Sequence, residues 1–174
     1  MKKSLSLKLS VCFSSVVLVT CLILVGTCTW IFQKAESAIQ DIRYEDILDG
    51  YKLNVKSQVQ SALTLVDYYY QQELSGKLTE AQAQEQAKEA VRALRYADDQ
   101  GGYLWIDGTD YTLIMHPILQ EKEGSNRKEL QDCNGVMIIQ EIMKAAQAGG
   151  GFNEFVFTKS DGVTEAPKIA YSEA

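Results

Sequence analysis

Apolar residues fill the chain from Leu9 to Phe32, a run of 24 residues without a charged side chain. A helix needs about 20 predominantly apolar residues to cross a hydrocarbon core of about 30 Å. Three lysines precede this run, and the first acidic residue, Glu36, follows it. A lysine excess keeps a short N-terminus in the cytoplasm. We therefore expect a cytoplasmic N-terminus (1–8), a transmembrane helix (9–32) and a folded part outside the cytoplasm (33–174).

Two other interpretations of the apolar run remain as alternatives. A cleaved secretory signal has a shorter apolar region, of about 7–15 residues, followed by a small-x-small cleavage site. The run here is longer and ends in Trp30-Ile31-Phe32, which is typical of an interfacial anchor. A lipoprotein signal would have a small residue directly before its cysteine, but Thr27 precedes Cys28. The pattern favours an uncleaved helix over cleavage or lipidation.

Helical periodicity continues beyond the membrane run. Apolar residues recur every three or four positions from Ala35 to Tyr70, which is the period of one helix face. A gap at Glu45-Asp46 and Gly50 interrupts this stripe and predicts a weak point. Gly76 predicts the end of the helix. Thr79 and Gln82 match the T-x-x-Q capping box that opens a second helix.

The pattern changes to that of strands after a break at 98–102. Residues 103–107 and 111–116 are rich in aromatic and β-branched residues and predict a hairpin, which Pro117 ends. A polar loop, 118–133, leads to the next helix. The sequence therefore changes from helical to antiparallel β character near residue 100.

The C-terminal third predicts one helix and two strands. Residues 136–148 have a helical pattern, which the glycines at 149–151 terminate. Residues 152–158 and 168–171 predict strands on either side of a turn at 159–162. The chain reaches Ala174 within a stretch of strand character, from which we expect the C-terminal part of this domain to be incomplete.

The charge and length of the outer part limit its function. The chain has a formal net charge of −6 and a pI of about 4.9, and all 23 acidic residues lie beyond Phe32. Such a surface argues against nucleic acid as a partner, because nucleic-acid binding needs clustered lysine and arginine. About 140 residues follow the apolar run, which is enough for one domain with its own core.

The residue types give little support to redox, metal or catalytic chemistry. Only Cys133 lies outside the apolar run, so no disulfide can form within the outer part, and we interpret this cysteine as a small buried hydrophobe. A single histidine argues against a Cys/His metal cluster, and we expect no cofactor. The chain has no Ser–His–acid spacing, no G-x-S-x-G and no phosphate loop. We therefore do not expect an enzyme.

Five segments resemble, in order and spacing, the single Cache domain (Cache type 2) of bacterial chemoreceptors and sensor kinases. They are LRYADDQGGYLWIDG (94–108), LIMHP (113–117), DCNG (132–135), GGGFNEFVFTK (149–159) and APKIAY (166–171). The N-terminal arrangement further resembles the start of methyl-accepting chemotaxis proteins. The resemblance covers about residues 35–174 and implies an α+β fold, in which a long helix precedes a PAS-like antiparallel sheet. Members of that family usually carry Tyr and Trp where this chain has Phe155 and Phe157.

The resemblance implies a pocket for small organic acids on one face of the sheet, and several residues suit that chemistry. Arginine offers a planar fork that binds a carboxylate bidentately, and aromatic side chains with a polar tip can form the wall of a small pocket. His116 and Lys168 could direct donors at an anion. We expect a carboxylate of two to four carbons to be bound by Arg95, Tyr103, Trp105, His116, Lys168 and Tyr171.

Four of these residues also have a structural alternative. Arg95 could pair with Asp98 or Asp99 at the surface. Tyr103 and Trp105 share one face of a strand and could belong to the core. His116, before a proline at a strand end, could be a hydrogen-bonded structural group.

The resemblance implies a sensor at the cell's inner membrane, the input half of a chemoreceptor that forms a homodimer through its long helix. Ligand binding would favour one arrangement of the sheet against that helix, because a ligand shifts an equilibrium by its differential affinity for two states. Three alternatives remain open: the input domain of a sensor histidine kinase, a membrane-anchored envelope enzyme using His116, and a structural anchor without a ligand.

The lysine asymmetry gives a testable topology. With Cys133 replaced by serine, a cysteine introduced at Ser75 should react with a membrane-impermeant thiol reagent in intact spheroplasts. The measurement is the labelled fraction before and after lysis. Labelling only after lysis would reverse the orientation and remove the basis for an external sensor.

Overall fold

The computed structural model describes residues 5–97, 100–159, 161 and 163–174. The chain forms two compact units, Met1–Asp49 and Gly50–Ala174. The helices and strands in chain order are α1 (Leu5–Leu74), α2 (Glu80–Ala93), β1 (Arg95–Tyr96), β2 (Gly102–Tyr103), β3 (Ile106–Asp107), β4 (Leu113–Met115), a 3₁₀ turn (Gln120–Lys122), α3 (Ile138–Gln147), β5 (Gly151–Thr158) and β6 (Glu165–Ser172). This is the α+β composition predicted from the sequence.

The first unit contains the N-terminal part of α1, which includes the apolar run. Within the described residues, one helix, Leu9–Leu74, includes a stretch long and apolar enough to cross a membrane. Its large apolar side chains are exposed, which suits contact with lipid. Four hydroxyl groups of the apolar run, those of Ser15, Thr20, Thr27 and Thr29, donate to backbone carbonyls three residues earlier. The polar groups of these side chains are thus satisfied within the helix, as a hydrocarbon environment requires.

The predicted weak point at Gly50 does not end α1, which continues to Leu74. A single glycine lowers helix stability by only about 1 kcal/mol, which neighbouring packing can overcome. Val55 and Ala62 are buried at helical spacing. Ala62 belongs to a core cluster with Val91 of α2, and with Leu104 and Met115.

The predicted capping box at the start of α2 is confirmed. The backbone N–H of Thr79 donates to Gln82 Oε1 at 3.0 Å, and the N–H of Gln82 donates to Thr79 Oγ1 at 3.3 Å. These two bonds satisfy N–H groups that the first turn of a helix leaves without partners. Three residues of α2 are buried: Ala83, Ala87 and Val91.

The predicted strand at 103–107 is divided between two partners. β2 pairs antiparallel with β1, whereas β3 pairs antiparallel with β4, with a register shift between Ile106 and Asp107. The change of partner occurs at Leu104 and Trp105. The predicted hairpin therefore forms through β3 and β4, and the residues before it pair with the short strand that follows α2.

The β5–β6 ribbon and α3 form a second core cluster. The two strands pair antiparallel over eight residues each, with Phe155 opposite Lys168. β6 begins at Glu165, three residues before the predicted start, and includes Pro167. Phe155 packs with Ile138, Ile139 and other residues of α3. α3 ends at Gln147, and Gly149 and Gly150 then adopt positive φ angles of 94° and 109°, a region that favours glycine.

Asp132 connects the polar loop to β5. Its Oδ1 accepts the N–H groups of Asn134 and Val136, and its Oδ2 accepts the N–H of Val156, all at 2.9 Å. Cys133 is exposed in this turn, so its interpretation as a buried hydrophobe was wrong. The side chain that anchors the turn is that of Asp132, and the adjacent cysteine remains at the surface.

Candidate ligand-binding site

A cavity of about 340 Å³ lies within the second unit. This volume is at the lower end of the range of about 300–1,000 Å³ that is typical of small-molecule sites. Its lining comes from the β1–β3 region, the end of β4, the β5–β6 ribbon, the start of α3 and two residues of α1, Tyr51 and Val55. Four of the six predicted site residues line it: Tyr103, Trp105, His116 and Lys168.

His116 presents a neutral hydrogen-bond donor. The residue is 2% exposed, and its Nδ1 accepts the backbone N–H groups of Ile118 at 3.1 Å and Leu119 at 3.0 Å. Because Nδ1 is an acceptor, the ring proton belongs on Nε2. Burial, followed by repulsion from Arg127, lowers the pKa of His116 to about 4. The imidazole is therefore uncharged at neutral pH, with an N–H to offer.

Arg127 brings a buried cation to the cavity, although it was not among the site residues predicted from the sequence. One of its guanidinium nitrogens, Nη2, pairs with Asp107 Oδ1, and the two side chains are only 9% and 6% exposed. Its Nε is buried without a hydrogen-bond partner among the described residues. A buried donor without an acceptor is costly, by about 1–3 kcal/mol. Arg127 lines the cavity, and its positive charge favours an anion there.

The local backbone explains how Arg127 reaches the cavity. Its N–H donates to the carbonyl of Tyr111 at 2.8 Å, which joins the polar loop to the turn before β4. Tyr111 adopts a φ of 70°, which is unusual for a large side chain and marks local strain. In sequence, Arg127 stands in a charged loop beside Lys128 and Glu129 and resembles any solvated arginine.

Tyr103, Trp105 and Lys168 complete the lining near His116. The Tyr103 ring lies 5.1 Å from the His116 ring, and Lys168 Nζ lies 5.9 Å from the centre of the Tyr103 ring. Burial raises the pKa of Tyr103, so its hydroxyl remains a donor at neutral pH. Trp105, unlike Tyr103, does not offer its polar group to the cavity, because its Nε1 donates to Asp107 Oδ2 at 2.9 Å. Its indole therefore offers the cavity mainly an apolar surface.

Arg95, the predicted carboxylate fork, lies outside the cavity. The residue is exposed, and its Nη1 donates to the carbonyls of Arg92 and Leu94, both at 2.8 Å. These carbonyls end α2, where the helix dipole favours a cation. The alternative partners, Asp98 and Asp99, lie outside the described residues.

Tyr171 also lies outside the cavity, on the other face of β6 from Lys168. Side chains three positions apart on a strand point to opposite faces. The Tyr171 ring lies 4.9 Å from that of Phe152, and Lys56 Nζ of α1 lies 5.4 Å from its centre. Tyr171 therefore joins the ribbon to α1.

An ion pair holds the backbone of His116. Arg92 of α2 donates through Nη1 and Nη2 to the two carboxylate oxygens of Glu123, at 2.5 and 3.0 Å. Glu123 Oε1 accepts the His116 N–H at 2.8 Å, and Arg92 Nη1 donates to the His116 carbonyl at 3.3 Å. The bond from Arg92 is the largest cause that lowers the pKa of Glu123 to about 2. The pair connects α2 directly to a cavity residue.

Among the described residues, the site has no arrangement suited to a metal ion. Within residues 5–97, 100–159, 161 and 163–174, no group of three or more His, Cys, Asp and Glu side chains is placed to hold one. The polar groups that line the cavity are mainly donors. Their chemistry is that of an anion site.

Comparison with known proteins identifies relatives of this domain. The sequence profile described as Single Cache domain 2 matches residues 47–174, which confirms the resemblance inferred from the five segments. The methyl-accepting chemotaxis protein McpP of Pseudomonas putida is 30% identical over 102 residues, which are 59% of this chain and 18% of the relative. The sensor histidine kinase MctS of Rhizobium johnstonii is 32% identical over 89 residues, which are 50% of this chain and 19% of the relative. The chain thus spans about a fifth of the length of these curated relatives.

Solved structures of sensor domains share the fold. A periplasmic sensor domain of a chemotaxis protein has a TM-score of 0.67 and 28% identity, covering 71% of this chain and 85% of that one. A Cache chemosensory domain described for carboxylic acid recognition has a TM-score of 0.67 and 26% identity. The match covers 73% of this chain and 86% of that domain. A methyl-accepting chemotaxis protein from Vibrio parahaemolyticus has a TM-score of 0.64 and 28% identity. The match covers 74% of this chain and 82% of that structure.

The loss of stability that the protein undergoes as the pH falls should depend on Glu123. Its folded-state pKa of about 2 lies below the ordinary 4.5, so its contribution is fully present above about pH 4.5 and is lost as the pH falls towards 2. Glu123→Gln should lower the unfolding free energy at pH 7 by about 1.5–3 kcal/mol, the value of a hydrogen bond to a charged group. It should also flatten the pH dependence between 4.5 and 2.

Urea unfolding followed by circular dichroism across this pH range measures both effects. Glu121→Gln, at an exposed position of the same loop, is the matched control and should behave as the unmodified protein does. An unchanged pH dependence in Glu123→Gln would contradict the role assigned to the ion pair.

Proposed function

Because the chain belongs to the single Cache domain 2 family, we propose that its second unit is the extracytoplasmic sensor of a transmembrane chemoreceptor. The apolar part of α1 would cross the inner membrane, with residues 1–8 in the cytoplasm and residues 33–174 in the periplasm. The lysine asymmetry and the periplasmic sensor domain of similar fold support this orientation.

The ligand is a carboxylate of two to four carbons. The observation that carries this proposal is that the cationic side chains of Arg127 and Lys168 line the same cavity. The Nε2–H of His116 and the hydroxyl of Tyr103 add neutral donors beside these cations. The similar Cache domain described for carboxylic acid recognition supports the same ligand class.

The signal would pass from the cavity to α1 by two contacts. Tyr51 and Val55 of α1 line the cavity, so a ligand can touch the helix. β6 carries Lys168 on one face and Tyr171 on the other, and Tyr171 contacts Lys56 of α1. A ligand that binds one arrangement of these parts more tightly shifts the population towards it.

The input domain of a sensor histidine kinase is the second candidate, because one relative is such a kinase. The same cavity and the same α1 would serve either output. An envelope enzyme using His116 receives less support. Its pKa of about 4 is far from the value near 7 that suits a general base, and its Nδ1 already accepts two backbone bonds.

Arg127→Lys should weaken ligand binding, because lysine keeps a positive charge for Asp107 but lacks the planar fork of donors that the guanidinium offers to a carboxylate. At about 100 times its dissociation constant, propionate should stabilise the unmodified protein by about 2.7 kcal/mol. The melting temperature should then rise by roughly 5–10 °C. The loss of one charge-assisted bond should reduce this shift to about half or less at the same concentration. Thermal unfolding with and without propionate measures it.

Arg95→Lys makes the same chemical change at an arginine outside the cavity and should leave the shift intact. If Arg95→Lys abolished the shift and Arg127→Lys did not, the site would have to be reassigned. If propionate, acetate, lactate and pyruvate all failed to shift the unmodified protein, the carboxylate proposal would fail.

The homodimer expected from the sequence stays a prediction, with its interface moved to another face of α1. Val55 and Ala62 are buried within the domain, so the apolar stripe is already used. The exposed positions 57, 61 and 64 lie on the opposite face. In a background with the four native cysteines replaced, cysteines at Ser57, Ser61 or Thr64 should cross-link between chains in membranes, and Ala62→Cys should not. Non-reducing electrophoresis measures this, and no cross-link at any exposed position would contradict the dimer.

A further inference from the structure

Two groups of residues can be distinguished within the lining of the cavity. The polar group consists of Tyr103, His116, Arg127 and Lys168, in which the Tyr103 ring is close to both His116 and Lys168. The apolar wall consists of residues that belong to the α3–ribbon core cluster or pack against it. Its members are Trp105, Leu130, Ile138, Ile139, Phe155 and Phe157.

The side chains of the apolar wall offer a ligand almost no hydrogen bonding. Phe155 and Phe157 have no polar atom, and their rings pack edge to face at 6.4 Å. Trp105 has one donor, and that donor is used by Asp107. The backbone of the adjoining ribbon pairs strand to strand. A hydroxyl group placed against this wall would lose its bonds to water without replacement, which is costly.

The cavity has room for a tail. Water occupies about 30 Å³ per molecule in the liquid, so about 340 Å³ is far more than the four heavy atoms of acetate need. Each methylene group moved from water to an apolar surface contributes about 0.8 kcal/mol. A longer hydrocarbon tail should therefore gain affinity for as long as it meets the wall.

We propose that the polar group holds the carboxylate while the apolar wall receives an unsubstituted hydrocarbon tail. The site would then prefer alkanoates to acids of the same length that end in a hydroxyl group. This inference rests on the proposed carboxylate function and adds the chemistry of the tail. A hydroxyl beside the carboxylate, as in lactate, would remain near the polar group and is not the discriminating case.

Butyrate and 3-hydroxypropionate provide the decisive comparison, because they differ only in a terminal methyl against a hydroxyl and are both monoanions at neutral pH. Isothermal titration of the full chain in lipid nanodiscs should give a 10- to 100-fold tighter affinity for butyrate. Affinity should also increase about fourfold per carbon from acetate through propionate to butyrate.

The outcomes separate the two proposals. If none of these acids binds, the carboxylate function itself fails. If the acids bind but 3-hydroxypropionate equals or exceeds butyrate, or affinity is flat from acetate to butyrate, the carboxylate function survives and the hydrocarbon-tail inference is overturned.

Variants test whether the wall is responsible. Phe157→Tyr adds a hydroxyl to the wall and should reduce the preference for butyrate at least threefold, as should Ala166→Ser at another lining position. Phe152→Tyr, on the other face of β5, is the matched control and should leave the preference unchanged. A preference unaltered in both folded variants, Phe157→Tyr in the wall and Ala166→Ser opposite it in the ribbon, would assign the discrimination elsewhere and contradict the role of the wall. If Phe157→Tyr does not fold, Ala166→Ser and the comparison in the unmodified protein still decide.

Discussion

The buried pair of Arg127 and Asp107 is the interaction on which the candidate site depends. A guanidinium removed from water to this extent needs a carboxylate partner, because an uncompensated buried charge is strongly destabilising. Asp107 provides it from β3 and also accepts the Trp105 indole N–H. The Arg127 N–H in turn bonds to Tyr111, whose positive φ sets the turn before β4. One pair thus fixes a cation, an aromatic wall residue and a loop.

The polar group combines charges with neutral donors, and each kind is held differently. Arg127 and Lys168 supply positive charge, and Asp107 compensates part of it. His116 contributes no charge at neutral pH, because burial and the nearby arginine keep its pKa low. Its ring is oriented by two backbone N–H groups, and its backbone is held by the Arg92–Glu123 pair. The ring of His116 is therefore already oriented before a ligand binds, and little entropy is lost in ordering it. A donor fixed in this way favours anions whose oxygen lies in the direction of its N–H.

The contacts of α1 within the second unit connect this site to a helix that is suited to signalling. Ala62 packs in a core cluster with α2, while Tyr51 and Val55 reach the cavity. Lys56 lies over the ring of Tyr171, on the face of β6 that points away from Lys168. The same helix therefore meets the hydrophobic core, the cavity and the outer face of the ribbon. Under the proposed function, a change at the ligand would reach α1 without needing a contact over a long distance.

The sequence by itself determined the features that depend on neighbouring residues. Periodicity identified the helices, the T-x-x-Q pattern identified the cap at Thr79, and strand composition identified the hairpin and the ribbon, because these properties repeat over a few residues. The alternation of strand side chains was also available and would have removed Tyr171 from the side of Lys168. Tertiary structure alone decided that β2 and β3 take different partners. It also decided that the arginine in the cavity is Arg127 and that Arg95 instead binds the end of α2. Those outcomes depend on burial and on pairing between residues far apart in the chain, such as Arg127 with Asp107, and no local pattern records which charged side chain will lose its water.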